Sequence, residues 1–347
     1  MARDFCLVHL QYFCEITMRS LYISQQGCYL SLKQEQVIIK QGQTILEEVQ
    51  IPLLEQILVF GQSQITTQLI RACLWRNVPI VYLSRMGRCY GRLVPIERGY
   101  RNLARRQLLL LLQDRLLVAT AIVRAKLHNS RVILQRQRRR GIADEIDTAI
   151  GGLKYLIHRA EQATSTEQLM GFEGAGAASY FAALGNCLTT EGFAFIERSR
   201  RPPKDPVNAM LSFGYQLLWN HLLSLIELQG LDPYDACLHQ SSDRHAALAS
   251  DLIEEFRAPI VDSLVLYLVN RRIVNLVEDF DHANEGGCYL NDSGRKKFLR
   301  SFLLRMEEVL ETERGAQPRW DLLNQQVKAY KQFVYDPSVG YKPYLIR

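Results

Sequence analysis

The apolar residues of this 347-residue chain change their spacing near residue 100, and this change is the strongest constraint on its fold. Between residues 20 and 95 the apolar runs are short and rich in β-branched and aromatic residues, which predicts strands. Seven strands are predicted, at 21–24, 28–32, 36–40, 44–51, 56–60, 79–84 and 89–94, with one helix at 66–77. From about Asn102 onward apolar residues recur every three or four positions, which predicts helices.

The expected fold class is therefore α+β, with a small β-rich amino-terminal domain followed by a larger all-helical domain. We expect the β-rich domain at residues 18–100 and the helical domain at 101–347, with residues 1–17 as an extension before Met18. The composition, 48% hydrophobic and 22% charged, is that of a globular protein and excludes a disordered chain. No apolar run is long enough for a membrane span or a signal peptide, so we expect a cytoplasmic protein with no membrane partner.

The eight cysteines are scattered along the chain, which argues against a zinc knuckle or a disulfide scaffold. The basic residues, in contrast, are concentrated. Residues 85–140 carry fifteen Arg and Lys against only Glu97 and Asp114, although the whole chain has a net charge of only +6. A segment of this kind is typical of a surface that binds nucleic-acid phosphates, and the alternative is a solvated helix face.

Several common catalytic motifs are absent from the sequence. There is no phosphate-binding G-x-x-x-x-G-K-[ST] loop, no G-x-G-x-x-G, no H-E-x-x-H and no G-x-S-x-G. Nucleotide hydrolysis, dinucleotide redox chemistry, zincin chemistry and α/β-hydrolase chemistry therefore lack support. What remains is a group of acidic residues and a histidine, His239, in the helical half.

The first acidic candidate is Glu173, in the segment Gly171–Phe181. We expect it at the start of a helix whose next turns are built of small residues, which let another backbone approach closely. The alternative role for this carboxylate is to complement the positive end of the helix dipole.

Three further carboxylates, Asp251, Glu254 and Glu255, lie at positions that share one helix face. Because three like charges on one face repel one another, we expect either a solvated face or a bound cation. The helix is expected to end near Arg257, because Pro259 follows.

A basic segment at residues 198–215 contains three prolines, which predict an extended loop. Its basic side chains, among them Arg200 and Arg201, are expected to point into solvent, and Asn208 to cap the following helix. The segment has the character of a phosphate-gripping loop, and the alternative is a basic loop without a ligand.

Taken in order and spacing, these segments resemble the CRISPR-associated integrases of spacer acquisition, the Cas1 family. The resemblance runs from about Met18 to the carboxy terminus. It rests on the Gly27 turn in the first hairpin, Lys126 with Asn129, Glu173–Gly174 with Tyr180–Phe181, Arg201–Pro203 with Asp205 and residues 208–215, Leu238–His239, Asp251–Leu252 with Glu254 and Phe256–Arg257, and Tyr289–Leu290 with residues 294–298.

The resemblance implies a catalytic metal site with Glu173, His239 and Glu254 as ligands and Asp251 as an acidic neighbour close to the metal or the DNA. Many relatives carry aspartate where this chain has Glu254, and helical geometry alone does not choose between Glu254 and Glu255. Carboxylate ligands suit Mg²⁺, and the single imidazole shifts the preference toward Mn²⁺.

The resemblance also implies the reaction. The 3′-hydroxyls of a short prespacer DNA are joined to the CRISPR repeat by transesterification, by homodimers that a small second protein, Cas2, bridges. The β-rich domain is the expected dimerisation surface. Residues expected to contact DNA are Lys126, Arg138, Arg139, Arg140, Arg200, Arg201 and Asn208.

Two alternatives to integration stay open. The first is a metal-dependent endonuclease that cuts branched or single-stranded DNA with the same ligands and water as nucleophile. The second is a non-enzymatic nucleic-acid scaffold whose acidic cluster is solvated and empty. Metal dependence separates the scaffold from the two enzymes, and a strand-transfer product separates the integrase from the nuclease.

The arginine cluster gives a prediction about binding. We expect the triple substitution Arg138→Ala, Arg139→Ala and Arg140→Ala to weaken binding to any duplex sequence, because phosphate contacts carry no sequence information. The log–log dependence of affinity on salt should flatten by about 0.9 for each duplex phosphate that the protein no longer neutralises. Binding titrations at several salt concentrations measure the slope, and an unchanged slope would assign the cluster to a solvated face.

Overall fold

A computed structural model describes residues 20–85, 89–95, 100–138, 144–240, 245–283, 286–312 and 315–347. It divides into two compact units between residues 98 and 99. The first unit is built mainly of strands and the second mainly of helices, which confirms the α+β fold class. Within the described ranges, no helix has the length and apolar character needed to cross a membrane.

The amino-terminal unit contains two four-stranded sheets. Its elements are β1 Ser20–Ile23, β2 Cys28–Lys33, β3 Gln36–Gln41, β4 Thr44–Gln50, β5 Gln56–Phe60, β6 Gln64–Ile65, α1 Thr67–Trp75, β7 Ile80–Leu83 and β8 Cys89–Leu93. In one sheet β1, β5 and β7 run parallel and β8 pairs antiparallel with β7. In the other, β4, β3 and β2 form an antiparallel meander, and β6 runs parallel to β2.

All seven predicted strands and the predicted helix are present, because alternating apolar side chains such as Val37 and Ile39 fill one core with Leu69 and Cys73 of α1. The two-residue strand β6 was not predicted, since two residues show no period.

The expected first hairpin is wrong. β1 pairs with β5, and Gly27, with φ +73°, lies where the chain passes from one sheet to the other. All four residues of β1 are buried, which an isolated hairpin does not allow.

The carboxy-terminal unit is mainly helical. Its helices are α2 Tyr100–Leu108, α3 Leu112–Arg138, α4 Asp144–Glu161, α5 Thr166–Gly185, α6 Pro206–Leu228, α7 Ala247–Ile253, α8 Ser263–Asn270, α9 Asp292–Glu307 and α10 Arg319–Tyr335. Two short antiparallel hairpins interrupt the expected all-helical pattern, β9 Phe280–His282 with β10 Cys288–Leu290 and β11 Val309–Thr312 with β12 Gly315–Pro318. Their strands have only three or four residues, too few to show an alternating pattern.

The long helix α3 is buried through its centre, where Val118, Ala119, Ile122 and Val123 have no exposed surface. Helix α5 packs against it through small residues, as the sequence predicted: a side chain at Gly176 would overlap Leu127 of α3. This close approach brings the middle of α5 against the middle of α3.

The expected start of the Glu173 helix is wrong. Helix α5 begins at Thr166, and the hydroxyl of Ser165 accepts a hydrogen bond from the N–H of Gln168 at 3.4 Å. Ser165 and Gln168 have the spacing of a capping box, a start signal that the small-residue run concealed. Glu173 therefore lies two turns inside the helix, away from the positive end of the dipole.

The expected helix end near Arg257 is also wrong. α7 ends earlier, at Ile253, with Glu254 as its C-cap. After a turn at 254–256 the chain continues through a π-helical turn, Arg257–Asp262, into α8. Pro259 lies inside this wider turn, where the missing N–H of proline is accommodated. Glu254 therefore lies at a helix end that is buried, with 3% of its surface exposed.

The packing at the end of α5 gives a stability prediction. In Gly185→Ala the new Cβ would overlap the carbonyl oxygen of Phe195, and backbone cannot move aside as a side chain can. We expect a loss of roughly 1–3 kcal/mol in the free energy of unfolding. Gly171→Ala, in the same helix with no described atom within 4 Å of its Cβ, should gain about 0.5–1 kcal/mol. Denaturant unfolding measures both, and equal effects would contradict the close approach.

Candidate active site

Three elements of the helical unit bring charged side chains together: α3, α5 and the turn that follows α7. The ammonium of Lys126 on α3 contacts Glu173 Oε1 on α5 and lies 2.7 Å from Glu254 Oε2. The Glu254 side chain is 3% exposed and that of Glu173 is 27% exposed. The two carboxylates therefore face each other across the Lys126 ammonium. Glu254 approaches it from the interior and Glu173 from the surface.

The second oxygen of Glu254 has a different partner. Arg257 Nη1 lies 2.9 Å from Glu254 Oε1. Burial raises the pKa of Glu254, but the positive charges of Arg257 and Lys126 outweigh it and lower this pKa to about 2. Glu254 is therefore an ionised carboxylate inside the protein at neutral pH.

His239 is oriented by Asp251. Asp251, which has no exposed surface, accepts hydrogen bonds from the backbone N–H groups of Cys237, Leu238 and His239 at 2.7–2.9 Å. His239 Nδ1 lies 2.7 Å from Asp251 Oδ1. Because an ionised carboxylate only accepts, Nδ1 carries the proton and Nε2 is the nitrogen that can bind a cation. Asp251 thus positions His239 through its ring and its backbone.

The charges around His239 also link it to Glu254. Burial lowers the pKa of His239, but the hydrogen bond to Asp251 and the negative charges of Asp251 and Glu254 raise it overall. His239 and Glu254 lie close enough for each to shift the pKa of the other.

The predicted ligand set is brought together only in part. Glu173 and Glu254 meet at the Lys126 ammonium, while His239 turns one nitrogen to Asp251. Among the described residues, no three His, Cys, Asp or Glu side chains converge on one point as metal ligands would. The three-ligand site stays a prediction.

Of the two alternatives for the face that carries Asp251, Glu254 and Glu255, the solvated face is wrong and the bound cation stays a prediction. All three are buried, and each has different partners. Glu255 accepts from the hydroxyl of Tyr341 and from the N–H of Tyr344 at 2.7 Å. Because each of the three carboxylates has partners from a different part of the chain, their mutual repulsion is offset without a shared solvated face.

Asn129 ties the same region to the end of the described chain. Its amide group donates to the carbonyls of Glu255 at 2.8 Å and Tyr344 at 2.9 Å, and accepts from the N–H of Ile346 at 3.0 Å. The ring of Tyr344 stacks on Phe256 with centroids 5.1 Å apart. Sequence reasoning noted Asn129 only as part of a motif; its spacing of three from Lys126, on one helix face, was the available signal.

A buried polar network beneath Arg257 was also missed. Asp262 accepts from the hydroxyls of Tyr215 at 2.5 Å and Tyr180 at 2.9 Å. The guanidinium of Arg257 lies over the Tyr215 ring, 4.9 Å from its centroid. This network fixes the arginine that holds Glu254 Oε1.

Two residues expected to contact DNA are not placed to do so. Lys126 is buried between the two carboxylates, and Asn208 has no exposed surface. Asn208 is not the helix cap either: Asp205 caps α6, and the Asn208 side chain accepts from Arg198 at 2.7 Å and from the N–H of Ser199 at 2.9 Å. Asparagine is a common cap, but Asp205 directly precedes Pro206, the first helical residue.

The other expected DNA-binding residues differ in position. Arg200 and Arg201 are exposed, as expected for the loop, whereas Arg198 turns inward and donates to the Ser212 hydroxyl of α6 at 2.9 Å. Arg138 is exposed at the end of α3 and lies 2.6 Å from Asp147. Arg139 and Arg140 fall outside the described residues.

The chain has a β-rich unit followed by a helical unit. In the helical unit two carboxylates contact the Lys126 ammonium, and Asp251 orients a histidine, His239. Residues 21–303 match the family model of CRISPR associated protein Cas1. The chain belongs to the Cas1 family.

Relatives and solved structures agree with this assignment. The chain is 33% identical over 304 residues to an endonuclease Cas1 of Chlorobaculum tepidum, covering 85% of this chain and 88% of that protein. It is 35% identical over 300 residues to a Cas4 exonuclease/Cas1 endonuclease fusion of Geobacter sulfurreducens, covering 83% of this chain but only 53%, about half, of the fusion.

A Cas1 protein structure from Thermotoga maritima aligns with a TM-score of 0.78 and 26% identity, covering 92% of this chain and 97% of that one. A casposase bound to integration product aligns with a TM-score of 0.77 and 23% identity, covering 92% and 91%. The casposase likeness is one of fold.

The position of Glu255 gives a pH prediction. Burial raises the pKa of Glu255 to about 8, more than its hydrogen bonds to Tyr341 and Tyr344 lower it. The folded protein then binds this proton more tightly than the unfolded chain, so stability falls as pH rises from 5 to 8. In Glu255→Gln the decrease in the free energy of unfolding between pH 5 and pH 8 should be smaller than in wild type by roughly 1–3 kcal/mol.

The measurement is denaturant unfolding of the metal-free protein at several pH values between 5 and 8. Glu167→Gln on α5 is the matched control, because Glu167 is exposed and hydrogen bonds lower its pKa, out of this window. If Glu255→Gln and Glu167→Gln gave the wild-type pH dependence, Glu255 would be ionised throughout this range.

Proposed function

We propose that this chain is a metal-dependent DNA integrase of CRISPR adaptation, which joins prespacer 3′-hydroxyls to the CRISPR repeat by transesterification. The observation that carries the proposal is the pair of carboxylates, Glu173 and Glu254, that face each other across one cation. Exchange of one phosphodiester for another needs no nucleotide energy source, which agrees with the absence of a phosphate-binding loop from the sequence.

The donor set fits Mg²⁺ or Mn²⁺. The two carboxylates already contact one positive centre, and Glu254 Oε2 is buried without a well-directed hydrogen bond from any described residue. Nε2 of His239, the ring nitrogen that does not face Asp251, would add a nitrogen donor. When bound, such a metal aligns a hydroxyl nucleophile and neutralises charge on the phosphate.

The chain's own residues preorganise this site. Asp251 holds His239 in one orientation and in the tautomer that presents Nε2. Arg257 holds the other oxygen of Glu254, so the carboxylate cannot rotate away. Glu173, the more exposed of the two proposed carboxylate ligands, closes the site from the solvent side.

The basic loop supplies an approach for DNA. Burial and the positive charges of His239 and Arg201 lower the pKa of His245. Arg201 of the loop and the proposed ligand His239 therefore both lie near His245. Arg200 and Arg201 are exposed and bind backbone phosphates in this proposal, without reading sequence. Arg138, Arg139 and Arg140 extend the same role.

The assembly is part of the proposal. The β-rich unit forms the homodimer, and the small protein Cas2 bridges two dimers so that both 3′ ends of one prespacer are held at once. A casposase bound to integration product shares the fold, and integration is the reaction that we propose for this chain.

The second candidate is a metal-dependent endonuclease that uses the same ligands with water as nucleophile. The relatives named endonuclease Cas1 favour it. A scaffold with a solvated, empty acidic cluster is disfavoured, because Asp251, Glu254 and Glu255 are all buried and individually paired.

The test is incubation of the full chain, with and without Cas2, with a labelled prespacer and a repeat-containing plasmid in Mn²⁺. We expect a strand-transfer product that depends on the metal. Glu173→Gln, His239→Ala and Glu254→Gln should each reduce it by about 100-fold or more, since ligands that act as a unit do not add. DNA affinity should largely persist, because phosphate contacts dominate it.

Glu167→Gln, which removes an exposed carboxylate from the same helix as Glu173, is the control and should leave strand transfer unchanged. A cleaved plasmid without joined prespacer would support the endonuclease. DNA binding with neither product, in the presence of Mn²⁺ and Cas2, would support the scaffold.

A further inference from the structure

Lys126 is a buried lysine in the middle of the central helix of its unit. Its side chain is 11% exposed, and its ammonium contacts Glu173 Oε1 and lies 2.7 Å from Glu254 Oε2. Lysine is rarely buried unless its charge is paired. Here one ammonium pairs with both carboxylates that the proposed function assigns to the metal.

A lysine ammonium and a divalent cation need the same oxygens. Each carboxylate oxygen would lie about 2.0–2.3 Å from a bound Mg²⁺ or Mn²⁺. An ammonium in contact with the same two oxygens leaves no room for that ion. The two cations therefore exclude each other at this position.

We propose that Lys126 is a built-in placeholder, whose ammonium occupies the metal position in the metal-free protein and is displaced when a divalent cation binds. The inference rests on the proposed function, because it takes Glu173 and Glu254 as metal ligands. In the metal-free protein it gives the buried Glu254 carboxylate a positive partner at Oε2, beside Arg257 at Oε1.

The neighbouring arginine shows why the displaced residue is Lys126. Arg257 holds the opposite oxygen, Glu254 Oε1, and is fixed over the Tyr215 ring. Lysine carries a compact charge on a flexible stem and can withdraw, whereas the planar guanidinium is held on two sides. Arg257 therefore stays with Glu254 when the metal enters.

Space for withdrawal lies next to the lysine. A small cavity of about 10 Å³ borders Lys126, and its lining includes Ser130, Asp262 and Arg257. The Asp262 carboxylate, which accepts from Tyr180 and Tyr215, has further acceptor capacity for an ammonium that has left Glu173 and Glu254.

The test compares wild type, Lys126→Met and the control Lys154→Met, an exposed lysine on α4, in EDTA and in saturating Mn²⁺. In EDTA, Lys126→Met should melt several degrees below the other two, since Glu173 and Glu254 then face each other with no ammonium between them. In Mn²⁺ this gap should close. By linkage, isothermal titration calorimetry should show Mn²⁺ binding about ten-fold or more tighter in Lys126→Met.

If Lys126→Met does not fold in EDTA, Lys126→Gln, which keeps a polar side chain, replaces it. The difference in melting temperature from wild type should again be present in EDTA and absent in Mn²⁺. A gap of equal size in EDTA and Mn²⁺, or Mn²⁺ binding that is unchanged or weaker in the variant, would overturn the placeholder while leaving the metal site intact. If Mn²⁺ neither binds nor stabilises wild type or variant, the proposed metal site and the placeholder both fail.

Discussion

The buried, ionised carboxylate of Glu254 is the interaction on which the rest of the site depends. A carboxylate without partners at this depth would take up a proton, because burial disfavours the charged form. Lys126 and Arg257 each hold one of its oxygens and keep it charged. Breaking a buried pair of this kind costs roughly 3–5 kcal/mol, so the helices that carry these residues must stay in place for the site to exist.

Helix α3 connects this requirement to the end of the described chain. Lys126 lies on the carboxylate pair, and Asn129, one turn later, binds the backbone of Glu255, Tyr344 and Ile346. One face of α3 thus contacts both the carboxylate pair, through Lys126, and the carboxy-terminal segment, through Asn129. The turn at 254–256 that follows α7 serves the same geometry, because Arg257 lies three residues after Glu254 and reaches back to its Oε1.

Sequence reasoning succeeded where local pattern and burial agree. The strands of the first unit were predicted because each is a short run rich in β-branched and aromatic residues, and β6 was missed because it is too short. The start of α5 was misplaced because its capping signal at Ser165 precedes the run of small residues around Glu173. The first hairpin was wrong because strand pairing between β1 and β5 joins residues more than thirty positions apart in the chain.

Apolar spacing and motif order were enough to predict the two-part fold class and the family resemblance, and they named the acidic residues and the histidine as candidates. The partner of each charge depends on packing between helices. Glu254 and Glu255 are neighbours about 100° apart on a helix, so either could face α5 by local geometry. Partners distant in the chain separate them: Lys126 and Arg257 stabilise charge on Glu254, while burial raises the pKa of Glu255 more than its hydrogen bond from Tyr341 lowers it. Such partners are set by packing, which no local spacing encodes.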